Sequence, residues 1–305
     1  MGGSRVVVLA GGTGGAKLAR GMLDVVGEDL TVVANTGDDV EIYGSYVSPD
    51  PDLVTFWLAD RIDGRGWGLD GDTFHVMDGL RELGDDVWFN LGDRDLACCV
   101  RRARRLAEGA TLTDAIAEQA AAFGVAARVL PMADAPVRTR VRAGGAWWSL
   151  QRFLIQRRGE GPVEDVAFDG AGEASPTQAV LDAIAAADAI VIGPSNPIIS
   201  IGPILALPGL REALAAAAAP VVAVSPIVQG QVLKGPTAAF LAWAGRPATA
   251  AGVAGHYAGI ADGFVCDEQL GGAPMPVLAT DVELGDAGAR ARVAEAVLDF
   301  ARALR

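Results

Sequence analysis

Several short stretches of this chain carry the residue types that handle phosphate groups and divalent cations. Gly11-Gly12-Thr13-Gly14-Gly15-Ala16-Lys17 follows the apolar run Val6–Ala10. Glycines after a strand let the backbone approach a phosphate closely, and a helix that begins there adds free N–H groups and the positive end of its dipole. Asn35-Thr36-Gly37-Asp38-Asp39 and Ser48-Pro49-Asp50-Pro51-Asp52 supply carboxylates a short way downstream. If Asp38, Asp39, Asp50 and Asp52 converge on the glycine loop, a bridging Mg²⁺ is the chemistry expected, because bare carboxylates repel a phosphate. For Asp50 and Asp52 the structural alternative is N-capping of the helix they open.

Two further stretches fit the same picture. Asn90-Leu91-Gly92-Asp93-Arg94-Asp95 places an arginine at a helix start, where the dipole disfavours a cation, so Arg94 suits an anionic or planar ligand or pairs with Asp93 or Asp95. Gly193-Pro194-Ser195-Asn196-Pro197, continuing through Ser200-Ile201-Gly202, has no charged side chain. A stiff loop of that kind donates N–H and O–H groups to a diphosphate without acting as acid or base. The cluster Arg101, Arg102, Arg104 and Arg105 reads as a solvated helix face.

The common nucleotide patterns are both broken. A dinucleotide fingerprint starting at Gly12 would end at Lys17, and Asn35 stands where a ribose-binding carboxylate belongs, which disfavours NAD. As a P-loop, the stretch has Ala16 for the second glycine and Leu18 for the metal-binding hydroxyl.

Composition narrows the function further. The 305 residues hold 25 basic and 38 acidic side chains, a formal charge of −13. Such a chain lacks the Lys and Arg excess that sequence-independent nucleic-acid binding requires. No apolar run approaches the roughly 18–20 residues of a membrane helix, and no leader is evident, so a cytoplasmic location is expected. Cys98, Cys99 and Cys266 with His75 and His256 do not form a zinc pattern, which leaves a hard cation on oxygen ligands. Arginine dominates the basic residues, so Lys17 in the glycine loop is conspicuous; Lys234 is the other lysine.

The elements that must position these groups alternate between strand and helix. Strands are predicted at 5–10, 30–34, 189–192, 221–224, 263–266 and 276–279. Helices are predicted at 16–26, 52–60, 73–83, 95–107, 112–123, 176–187, 210–218, 236–244 and 289–304. This is a doubly wound α/β domain, with a mostly parallel Rossmann-like sheet spanning 1–305. From about 128 to 170 the texture changes to an inserted β-rich segment. There Ala143-Gly144-Gly145-Ala146 reads as a hairpin turn and Trp147-Trp148 as an aromatic edge able to cover a flat ring.

Taken in order, these blocks resemble the CofD/FbiA family, the 2-phospho-L-lactate transferases of coenzyme F420 biosynthesis. Trp67-Gly68, Leu130-Pro131-Met132-Ala133-Asp134 and Ser225-Pro226-Ile227 match too, and the likeness covers about residues 5–270. The resemblance implies transfer of a phospholactyl or phosphoenolpyruvyl group from a guanosine diphosphate ester to the ribityl hydroxyl of the deazaflavin Fo, with GMP released. It implies nucleotide contacts by Gly12, Thr13, Gly14, Gly15, Lys17, Asn35, Ser195, Asn196 and Ser200. Mg²⁺ is implied on Asp38 and Asp52, and acceptor contacts at Asp50, Asp52 and Arg94. Asp52 is implied as the residue that orients or deprotonates the hydroxyl. A homodimer is also implied. The alternative is a CofD-like nucleotide- or sugar-nucleotide-binding regulator of the gluconeogenesis-factor type.

Overall fold

The structure is a computed structural model describing residues 4–232 and 235–305, so Lys234 lies outside the described residues. Its centre is a seven-stranded sheet in which every neighbouring pair is parallel. The spatial order is Val277–Ala279, Gly263–Cys266, Val221–Val224, Ala189–Ile192, Val6–Ala10, Leu30–Ala34 and Arg128–Pro131. The central strands read as unbroken β-branched runs because both of their faces are covered. Along Val6–Ala10 the pleat sends Val6, Val8 and Ala10 into one core and Val7 and Leu9 into the other.

The first core lies under the helices Gly12–Val26, Pro49–Leu58, Leu112–Ala122 and Ala287–Ala303. The second lies under Gln178–Ala186, Leu210–Ala216 and Ala250–His256. Helices on both faces of one parallel sheet make the fold α/β and doubly wound. The chain runs outward from Val6–Ala10 to Leu30–Ala34 and Arg128–Pro131, then returns to place Ala189–Ile192 on the opposite side of the first strand. The strand order reverses between Val6–Ala10 and Ala189–Ile192. A crevice opens at the carboxyl ends of two strands at such a point, because their loops diverge to opposite faces. The loops leaving these two strands are the glycine loop and the Ser195 loop.

Arg128–Pro131, counted above with the inserted segment, pairs in parallel with Leu30–Ala34 and is the edge strand of the main sheet. The departure begins after it. Arg138–Ala143 is flanked by Ala146–Ser149 and Asp165–Asp169 in a three-stranded antiparallel sheet. Gly144 and Gly145 turn its hairpin at φ +61° and +75°, the left-handed pair that a tight hairpin turn demands. This sheet and the short helix Leu150–Ile155 share a small core of Val141, Phe153 and Phe240 with Ile198 and Ile199 of the Ser195 loop. The added sheet is therefore seated against one wall of the crevice. Among the described residues, no helix is long and apolar enough to cross a membrane.

Candidate active site

A cavity of about 930 Å³ occupies the crevice, a size at the upper end of small-molecule sites. Gly11, Gly12, Thr13, Gly14, Lys17, Asn35, Asp38, Asp50 and Asp52 line it, and so do Ser195, Asn196 and Ser200. Residues far apart in sequence meet here because their loops leave adjacent strands.

The glycines are needed for packing as well as for ligand approach. The helix begins at Gly12, at φ +63°, and its first-turn N–H groups have no acceptor within the helix. Gly11 N–H donates to Ser195 Oγ at 3.3 Å and Gly12 N–H to Asp50 Oδ1 at 2.5 Å. A Cβ on Gly14 would fall inside the van der Waals envelope of the Pro194 carbonyl oxygen. A Cβ on Gly15 would lie 2.6 Å from Ser195 Oγ and 2.9 Å from Ala10 Cβ. Gly15 therefore works by close approach, and it is not among the cavity-lining residues. Lys17 lies at the same end, with its Nζ 5.7 Å from the Trp57 ring centroid.

Asn35 organises the acids. Its Oδ1 accepts from Gly37 N–H, while Nδ2 donates to Asp50 Oδ2 at 2.9 Å and to Asp38 Oδ1 at 3.4 Å. Gln151, from the helix beside the added sheet, donates to Asp38 Oδ2 at 3.1 Å. Burial raises Asp38 well above the usual carboxylate range, and repulsion from Asp50 and then Asp39 adds to it. Burial likewise lifts Asp50 to about 6, opposed by its bonds from Asn35 and Gly12. Asp39 is pushed to about 7 by burial, against Arg138 and the Ser48 hydroxyl, and faces away from the cavity toward Tyr46. Two buried carboxylates joined through Asn35, one of which raises the other's proton affinity, form a site whose charge a divalent cation can neutralise.

Asp52 is placed differently from Asp38. Its Oδ1 is bound by Arg102 and accepts from Gln119 Nε2 at 2.6 Å, while Oδ2 is buried without a hydrogen-bond partner among the described residues. Neither Asp50 nor Asp52 caps its own helix. Asp50 serves Gly12 N–H, and Asp52 serves an ion pair. Arg102, expected on a solvated face, is 2 % exposed and points inward; only Arg101, Arg104 and Arg105 form surface pairs, with Glu118 and Glu108. Helical spacing does place it on the face of Leu96 and Cys99, three residues past Cys99, but the acid that lets a guanidinium be buried there is 50 residues away.

Arg94 lies on the surface and does not line the cavity. Its Nη1 donates to the Asp70 carbonyl at 3.1 Å and so braces the loop that carries Trp67. The acids around it exchange caps. Asp93 accepts from the N–H groups of His75 and Val76 at the start of His75–Glu82, and Asp72 accepts from Arg94 N–H and Asp95 N–H at the start of Asp93–Ala107. Gly92 is required because a side chain there would strike the Asp72 carboxylate.

The aromatic lining comes from Phe56, Trp67, Phe74, Trp88 and Phe89. Trp147 and Trp148 do not reach it; they stack under Arg140 and Arg157. Trp88 and Phe89 stand in an irregular segment, so neither strand nor helix periodicity marked them, and Arg152 covers Trp88 at 4.6 Å.

The cavity thus brings the glycine loop, the Ser195 loop, the Asp38–Asp50 pair and five aromatic side chains together in one volume. The sequence profile of 2-phospho-L-lactate transferase CofD matches residues 6–283. The chain belongs to the CofD family. A 2-phospho-L-lactate transferase of Methanosarcina mazei is 41 % identical over 266 residues, covering 87 % of each chain. A phosphoenolpyruvate transferase of Streptomyces griseus is 38 % identical over 316 residues, covering 99 % of each. A crystal structure of a UPF0052-family protein from Bacillus halodurans shares the fold, with a TM-score of 0.66 at 17 % identity over 98 % of this chain and 99 % of that one. This CofD-family member is accordingly an enzyme of the transferase type, and the cavity at the strand reversal is its candidate active site.

One prediction concerns Asp95, which lines the cavity. Burial first, then Asp52, raises its carboxyl to about 7, with Arg102 opposing and Asp72 adding. The folded protein therefore keeps a proton that the unfolded chain releases near pH 4. Stability tied to this group is complete below that pH and is lost as pH rises through 7. Asp95→Asn should melt above the wild type at pH 8 and level with it at pH 4; thermal melts across that range check the sign.

Proposed function

We propose that this enzyme moves a phospholactyl or phosphoenolpyruvyl group from a guanosine diphosphate ester to the ribityl hydroxyl of Fo, releasing GMP. The observation that carries the reading is the joining of the two loops, the Asp38–Asp50 pair and the aromatic recess in a single cavity. Relatives named for phospholactate and phosphoenolpyruvate transfer support it. The glycine loop and the Ser195 loop offer N–H and O–H groups to the diphosphate, with Lys17 at their side. The recess of Trp67, Phe74, Trp88 and Phe89 offers flat apolar surface to the deazaflavin ring.

Asp38 and Asp50 suit Mg²⁺ as hard oxygen donors whose mutual repulsion a cation relieves. Asp52 suits it less, since Arg102 already neutralises it. When bound, the cation supplies charge neutralisation at the diphosphate. Asn35 and Gln151 hold the two carboxylates in place. Gly12 N–H fixes Asp50 against the start of the helix, and Asp52 and Asp95 line the same cavity. In-line displacement at phosphorus needs mainly this positioning and neutralisation. The reading includes action in the cytoplasm as a homodimer, which sedimentation of the purified protein checks.

The test is mass spectrometry of Fo incubated with each donor ester and Mg²⁺. The expected result is an F420-0 or dehydro-F420-0 product with equimolar GMP, lost on chelation with EDTA and regained on adding Mg²⁺. Binding of GDP without turnover of any donor would replace this reading with the regulatory one.

A further inference from the structure

Asp95 is the third residue of the helix Asp93–Ala107. The start of that helix is capped from outside by Asp72, so the Asp95 side chain is not needed there. Among the described residues, its carboxylate takes part in no hydrogen bond and no ion pair, although it lines the cavity. Beside it, and more deeply buried, stands Asp52, with Oδ1 held by Arg102 and Gln119 and Oδ2 without a partner among the described residues. Oxygens of Asp52 and Asp95 and the Cys99 sulfur lie within 4.8 Å of one another.

This trio makes a poor cation site. Arg102 already brings the positive charge, and a hard cation does not choose a thiol. Burial, and then Asp52, holds the Cys99 thiol well above its ordinary range, so it stays protonated. What remains is an accessible carboxyl in front of a fixed, buried ion pair. A carboxyl so placed can exchange a proton with what lies in the cavity.

We propose that Asp95 receives the proton of the attacking hydroxyl, with Asp52 and Arg102 as the positioned charges behind it. The inference rests on the transferase reading above. The hydroxyl oxygen forms its bond to the donor phosphorus, and the bond from that phosphorus to the GMP oxygen breaks. The electron pair leaves on GMP, and the hydroxyl proton passes to the Asp95 carboxylate and then to water. The charged groups facing Asp95 are Asp52, Asp72 and Arg102, and none of them takes up its carboxylate in a hydrogen bond or ion pair, so its oxygens stay turned to the cavity.

The experiment compares wild type, Asp95→Asn and Asp95→Ala in steady-state transfer to Fo, with GDP affinity by calorimetry and melting curves on the same samples. Asp95→Asn should lower kcat by roughly 10²-fold or more, the scale of a lost general base, with GDP affinity unchanged. Added formate should restore part of the turnover of Asp95→Ala and leave wild type unaffected, a response that a structural role does not produce. Active wild type with Asp95→Asn within threefold of it, or loss of activity without formate rescue, overturns the inference alone. Wild type inactive toward Fo removes the transferase reading and this inference with it.

Discussion

Asp52→Asn should melt on the order of 10 °C below the wild type, although it changes a carboxylate to an amide of the same shape. If Asp52 merely capped its helix, the cost would be about 1 kcal/mol. The structure places it instead against Arg102, which is 2 % exposed and has no other anion among its hydrogen-bond partners. Removing that partner leaves a buried guanidinium with no carboxylate bonded to it, only Asp39 and Asp95 nearby, and losses of this kind run to about 3–5 kcal/mol. Adding Arg102→Met to Asp52→Asn should recover most of that loss, since a pair removed together leaves no orphaned charge. Transfer should stay depressed by about 10²-fold in the double variant, because the charge behind Asp95 is still missing. Melting curves of both variants decide the matter. A single variant as stable as the wild type would mean that the buried pair contributes nothing.

The second large effect belongs to Gly14. In Gly14→Ala the new methyl group meets the Pro194 carbonyl oxygen, which is backbone and cannot rotate away. Either the helix start or the Ser195 loop must shift, at a cost of about 1–3 kcal/mol of overpacking. Both loops line the cavity, so GDP affinity should fall by tenfold or more, about 1.4 kcal/mol. Thr13→Val is the control. Thr13 lines the cavity at the helix surface, so its loss should weaken GDP while stability moves by no more than about 0.5 kcal/mol. Calorimetry and melts of both proteins separate the two roles. A Gly14→Ala protein that binds GDP as the wild type does would show that the loops are free to part.

Much of this protein is legible in the order of its residues, wherever a local rule decides the structure. Val6–Ala10 and Leu30–Ala34 are continuous β-branched runs, and only a strand covered on both faces buries such a run well. Gly144-Gly145 reads as a turn because two consecutive left-handed residues exclude most side chains. The glycine loop, the Asp38 and Asp50 stretches and the Ser195 loop could each be marked as phosphate or cation chemistry from residue type alone. Their meeting in one cavity followed from expecting ligands at the strand ends of a doubly wound sheet.

Only the tertiary structure decided which carboxylate does what. Asp50 and Asp52 are two residues apart on one helix, and no local signal separates them. The helix turn sends Asp50 to Gly12 N–H and Asn35, and Asp52 to Arg102 and Gln119, partners as distant as 67 positions in the chain. Arg102 shares the helical face of Leu96 and Cys99, but a charge on that face is tolerated only because an acid from another helix meets it, and that partner is not legible locally. Trp88 and Phe89 reach the cavity from a segment without periodicity, while the more conspicuous Trp147-Trp148 pair points elsewhere. Local sequence sets backbone conformation and the identity of each side chain. Which side chains then share a dielectric, a charge or a wall of the cavity is set by long-range packing, and the proton affinities of Asp38, Asp50 and Asp95 are products of that packing.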